Sequence, residues 1–108
     1  MVHELTSDGF EDEVKNSGVP VILDFYADWC GPCKMMAPIV DSLSEQYEEK
    51  VKFMKVNSEN EQELSEMFFI QGIPTLIFIK EGKEVDRVVG LISEEALIEK
   101  IDEFLDEE

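Results

Sequence analysis

The sequence predicts an α/β fold, in which a mixed parallel/antiparallel β-sheet of four to five strands carries four α-helices on its two faces. Three observations lead there. Residues 21–27, 51–56 and 75–79 are apolar runs of strand length, the pattern of strands covered on both sides. The segments between and after them repeat their apolar residues at helical spacing. A Gly-containing connection at 80–83 folds the third run back into a further strand, so that pair is antiparallel.

In chain order, residues 2–5 offer a short leading strand. Thr6-Ser7-Asp8-Gly9 supplies capping groups, and Phe10 and Val14 share a face at i, i+4, so a helix is expected before Gly18 and Pro20. Val21 to Ala27 reads as a buried strand. Pro32 suits the first turn of the next helix. Its apolar stripe is Met36, Ile39, Val40, Leu43 and Tyr47, opposed by Asp41, Ser44, Glu45 and Glu48, and Pro38 inside it should kink it. Residues 51–56 form a second buried strand and 61–69 a short helix with Glu63 and Glu66 on its polar side. Residues 75–79 and 85–89 make the hairpin. Leu97, Ile98, Ile101, Phe104 and Leu105 give the closing helix at 93–105, with Ser93 near its cap. The order β-α-β-α-β-β-α, with the short strand in front, places helices on both faces.

The 108 residues suit one domain, 1–108, with one core. No apolar run approaches the roughly 20 residues of a membrane helix, and Met1-Val2-His3-Glu4-Leu5 has no basic start or apolar signal core, so a cytoplasmic chain is expected. Against 9 Lys and Arg stand 26 Asp and Glu, a net charge of −17. Such a field repels phosphate backbones and anionic membranes, so nucleic acid and membranes are not expected partners. Most of this acid is read as solvated helix faces. A run of it, including Glu94, Glu95, Glu99, Asp102, Glu103, Asp106, Glu107 and Glu108, could also meet a basic partner.

The two cysteines, Cys30 and Cys33, lie two residues apart in sequence gap. A small secreted scaffold would carry more. A zinc site needs four ligands, and the chain offers beyond the pair only the remote His3, which is read as a surface residue. A crosslink across so short a loop adds little stability. Reactivity is left. The pair spans a strand-to-helix junction, where free N–H groups and the helix dipole stabilise a thiolate. Cys30 precedes the helix and is expected to stay exposed, whereas Cys33, one turn in, should be more buried. Gly31 and Pro32 form the turn that brings the sulfurs within bonding reach. Cys30 would attack a substrate disulfide, and Cys33, held at high effective concentration, would resolve the mixed disulfide. A separate reductase would restore the dithiol.

Asp24 sits inside an apolar strand, where an unpaired carboxylate is costly. It reads equally as a hydrogen-bonded structural residue or as a functional one, with burial raising its pKa and any neighbouring cation opposing that. Lys55 alone reads as a strand-edge lysine, and the five methionines as core filler.

Trp29-Cys30-Gly31-Pro32-Cys33-Lys34 resembles the active-site motif of the thioredoxin family. The likeness extends through Asp24-Phe25-Tyr26-Ala27, Met35-Met36-Ala37-Pro38, Lys55-Val56-Asn57, Gly72-Ile73-Pro74-Thr75, Gly82 and Val89-Gly90, across nearly the whole chain. It implies a thioredoxin fold and a general protein-disulfide reductase that needs no cofactor beyond its own Cys30–Cys33 disulfide. The implied partners are a thioredoxin reductase and disulfide-bearing proteins, with the chain itself a monomer. The resemblance further implies that Asp24 exchanges a proton with Cys33, that Lys55 tunes Asp24, and that the bond before Pro74 is cis. It implies too that Trp29, Gly31, Pro32, Ile73, Pro74 and Gly90 form a flat apolar substrate surface, with Ile73 offering backbone groups to an extended segment. A disulfide oxidant or isomerase on the same fold is the rival enzyme reading, although Gly-Pro between the cysteines resembles the reducing members. A binding module without redox turnover is the rival from another class.

The chain departs from the family pattern in three places. Tyr26 stands where many members have Trp. Leu91 and Ile92 follow Gly90 and would enlarge the apolar rim. Met67-Phe68-Phe69 is unusually bulky, either extra core or an uncovered patch.

Overall fold

The computed structural model describes residues 2–106; Met1, Glu107 and Glu108 lie outside the described residues. Five strands form one sheet: β1 (His3–Glu4), β2 (Val21–Tyr26), β3 (Lys52–Asn57), β4 (Thr75–Lys80) and β5 (Lys83–Val89), in the order β1-β3-β2-β4-β5. β1 and β2 flank β3 in parallel, whereas β4 runs antiparallel to both β2 and β5. The mixed sheet follows from the chain's connections. Helix α1 (Gly31–Gln46) carries the chain from β2 back to a parallel start at β3, while a tight turn joins β4 to β5. α2 (Gln62–Met67) and α3 (Glu94–Asp106) complete the helices.

Successive side chains of a strand point to opposite faces, and both faces of β2 are covered. Val21, Leu23 and Phe25 join Met54, Val56, Leu64 and Phe68 under α2 and the N-terminal segment. Ile22 joins Phe53, Leu76 and Phe78 under Met36, Val40 and Leu43 of α1 and Leu97, Ile101 and Phe104 of α3. Phe78 and Phe104 meet edge to face with centroids 5.2 Å apart, a geometry favoured by ring quadrupoles. Tyr47, just past α1, donates its hydroxyl to Asp102 of α3 across 2.7 Å. Among the described residues β5 has one neighbouring strand, and most of it is exposed.

The first helix departs from expectation. Ser7–Gly9 is a 3₁₀ turn and Glu11–Lys15 a π-helical turn, in which the Asn16 N–H donates to the Glu11 carbonyl across 2.9 Å. What holds the segment is the burial of Val14 and the packing of Phe10 on the core. Pro38 lies within the continuous span of α1. Met67-Phe68-Phe69 divides between both alternatives. Phe68 is buried edge to face against Phe10 and Phe25, at 5.9 and 5.8 Å, while Met67 is exposed and Phe69 is 80% exposed with φ of +53°. Among the described residues no helix is long and apolar enough to cross a membrane.

Candidate active site

Cys30 and Cys33 meet at the C-terminal end of β2, where the chain leaves the sheet and enters α1. Cys30 is the N-cap of α1, in extended conformation, and its sulfur accepts the Cys33 backbone N–H across 3.2 Å. Pro32 occupies the first turn, where its missing N–H costs nothing. The two cysteines form a disulfide, with Cα atoms 5.2 Å apart. Their unequal exposure is not found: each is 4% exposed. The Cys30 sulfur lies 3.9 Å from the Ile73 carbonyl oxygen, and Ala27, Tyr26 and Ile73 pack around the pair.

The loop before β4 closes over the sulfurs. The Ile73–Pro74 peptide is cis. Thr75 donates its hydroxyl to the Gly72 carbonyl at 2.6 Å, and the Gly90 N–H donates to the Pro74 carbonyl at 2.8 Å. These bonds tie both ends of the hairpin to the loop that carries Ile73 and Pro74. The proposed substrate surface is partly covered. Trp29 is 68% exposed and Gly31 and Pro32 are exposed, Ile73 and Gly90 are half-buried, and Pro74 is buried. Pro74 therefore underlies the surface, because its ring sits where β4 enters the core. Leu91 and Val89 are exposed and widen the rim, whereas Ile92 turns inward onto the α1–α3 core.

A cleft of about 180 Å³ lies on the other side of the disulfide, lined by Asp24, Tyr26, Ala27, Asp28, Cys33, Lys34, Ala37 and Lys55. Asp24 and Lys55 are direct partners across β2 and β3. Asp24 is 7% exposed, and its Oδ1 has no hydrogen-bond partner among the described residues. Burial pushes its carboxyl up from 3.8 to about 7; the Lys55 charge opposes this and the Asp41 carboxylate on α1 adds to it. Such a group can take or give a proton near neutrality. Tyr26 and Lys34 flank the pair as the motif implies, whereas the place of Asp28 in the wall and the influence of Asp41 were not apparent from sequence, because they depend on how α1 lies across the sheet. The described residues hold no group of three or more His, Cys, Asp or Glu side chains placed to bind a metal.

A family model described as Thioredoxin matches residues 1–103. The chain is 42% identical over 102 residues to Thioredoxin 1 of Nostoc sp., covering 94% of this chain and 95% of that protein. It is 36% identical over 104 residues to Thioredoxin of Pyropia yezoensis, covering 96% and 97%. It is 38% identical over 105 residues to Thioredoxin of Rickettsia prowazekii, covering 97% and 100%.

Proposed function

Since the chain belongs to the thioredoxin family and is a thiol–disulfide oxidoreductase acting through Cys30 and Cys33, we propose that it serves as a general reductant of protein disulfides in the cytoplasm, working as a monomer and recharged by a thioredoxin reductase. The observation that carries this reading is the Cys33 N–H aimed at the Cys30 sulfur at the mouth of α1, with Asp24 behind Cys33 in the same cleft. A reducing compartment suits a protein whose working form is a dithiol.

In the reduced protein, the Cys30 thiolate attacks one sulfur of a substrate disulfide. The substrate S–S bond breaks, its other sulfur leaves as a thiolate and takes a proton, and Cys30 becomes disulfide-linked to the substrate. Cys33 then gives its proton to Asp24 and attacks the Cys30 sulfur, so the substrate's second sulfur departs. Two electrons have passed from the dithiol to the substrate, and the Cys30–Cys33 disulfide remains. Lys55 favours the charged form of Asp24, and Trp29, Gly31, Pro32, Ile73 and Gly90, over the buried Pro74, present the substrate surface. No metal or organic cofactor enters these steps.

The test is turnover of a soluble disulfide-bonded protein with candidate reductases. Cys30→Ser should abolish it, and Cys33→Ser should stall with substrate covalently held on Cys30, visible by intact mass. A strongly oxidising potential for the pair would reverse the direction proposed.

A further inference from the structure

Glu4 of β1, Lys55 of β3 and Asp24 of β2 form one straight cross-strand row, since Glu4 pairs with Lys55 and Lys55 pairs with Asp24. Directly paired residues share a sheet face, so Lys55 stands between two carboxylates. Only one of them lies in the buried cleft beside Cys33; Glu4 is exposed. An exposed carboxylate can swing to a neighbouring ammonium at little cost, and would draw Lys55 away from Asp24.

In the structure Glu4 is engaged instead by Tyr26. Two residues beyond Asp24, it lies on the same face of β2, and its hydroxyl donates to Oε1 of Glu4. Its ring faces the Lys55 ammonium, with Nζ 5.9 Å from the centroid, within cation–π range. The ion pairs found among the described residues are Lys52–Glu13, Arg87–Glu84 and Lys100–Asp86, so Lys55 is paired with neither carboxylate. We propose that Tyr26 is a positioning residue for the Asp24 proton site: its hydroxyl detains Glu4 and its ring holds Lys55 over the cleft, reserving the ammonium for Asp24.

The proposal rests on the proton-transfer reading of Asp24 given above. The other groups facing this centre are Cys33, Lys34 and Asp41 from α1 and Asp28 from the β2–α1 connection. On β4 the register partner of Asp24 is the uncharged Leu76.

Carboxyl NMR titration of Asp24 in the reduced protein, run beside the pH profile of disulfide reduction, tests it. Tyr26→Phe keeps the ring but frees Glu4, so the Asp24 midpoint should rise by ~0.5 unit and the reduction profile should move alkaline with it. Adding Glu4→Gln removes the competitor and should return the midpoint to at or below its starting value. An unmoved midpoint in Tyr26→Phe, or a double variant shifted as far as the single one, overturns the proposal. A midpoint that moves as expected while the reduction profile stays fixed upholds the Tyr26–Glu4–Lys55 coupling and overturns the catalytic part given to Asp24.

Discussion

The backbone N–H of Cys33 points at the sulfur of Cys30 from 3.2 Å. It is one of the donors that an α-helix leaves free in its first turn, and the positive end of a 16-residue helix lies behind it. Once the disulfide is reduced, this donor faces a thiol whose ionised form it favours. The Cys30 thiol is therefore expected to titrate below the ordinary value of about 8.5, as followed by thiolate ultraviolet absorbance in the reduced protein. An inflection at or above that value would sever the link between helix and reactivity.

Asp24 makes stability depend on pH. Its folded carboxyl is raised to about 7 from 3.8, so the folded state binds the proton more tightly than the unfolded chain. The stability this contributes is full below about pH 4 and is lost as pH rises through about 7. Above that, the folded protein holds a buried carboxylate at a cost on the order of 4 kcal/mol. Asp24→Asn is expected to stabilise the fold by about 2–3 kcal/mol at alkaline pH and to change it little in acid, while slowing reduction near neutrality. Denaturant unfolding at both extremes measures this; an equal gain at each would show that the carboxyl does not titrate between them.

Adjacent phenylalanines should respond in opposite directions. Phe68 fills the space between Phe10 and Phe25, and Phe68→Ala should cost about 3–4 kcal/mol through lost burial and a cavity. Phe69 is exposed and held in the left-handed region just past α2, where glycine is at home. Phe69→Gly should stabilise by about 1 kcal/mol. Urea midpoints of the two variants check the contrast, and destabilisation by Phe69→Gly would show that the ring has a packing role.

The β4–β5 turn can be tested at both of its central residues. Glu81 and Gly82 have φ of +52° and +79°, the two positive values of a type I′ turn. Glu81→Asn should raise stability by about 0.5 kcal/mol, since Asn tolerates that conformation better. Gly82→Ala should lower it by roughly 1–2 kcal/mol, because a Cβ there would stand 3.2 Å from the Lys15 carbonyl oxygen. Thermal unfolding reads both, and a neutral Gly82→Ala would mean that the Lys15 segment yields freely.

Much of this fold is legible in the chain because β2 and β4 are covered on both faces and their residues are almost uniformly apolar. Gly82 marks the hairpin, and the spacing of Cys30 and Cys33 marks the chemistry. What could not be read depends on distant parts meeting. The row Glu4–Lys55–Asp24 exists only because β3 pairs between β1 and β2, and strand order joins segments far apart in sequence. The burial of Cys30 depends on Ile73 closing over it from another loop. Ile92 reads as a rim residue beside Leu91 until α3 is docked, when it turns to the core. The short N-terminal turns escape notice because Phe10 and Val14 satisfy a helical spacing equally well.

The two margins of the sheet carry their own consequence. On one side β1 is two residues long, too short to template a visiting strand. On the other, β5 presents Lys83, Glu84, Asp86 and Arg87, with Arg87 and Glu84 clasped as an ion pair. Short or charged borders discourage sheets from joining edge to edge. Under the proposed function, in which extended substrate segments meet the backbone at Ile73, borders of this kind would not compete for the same segments.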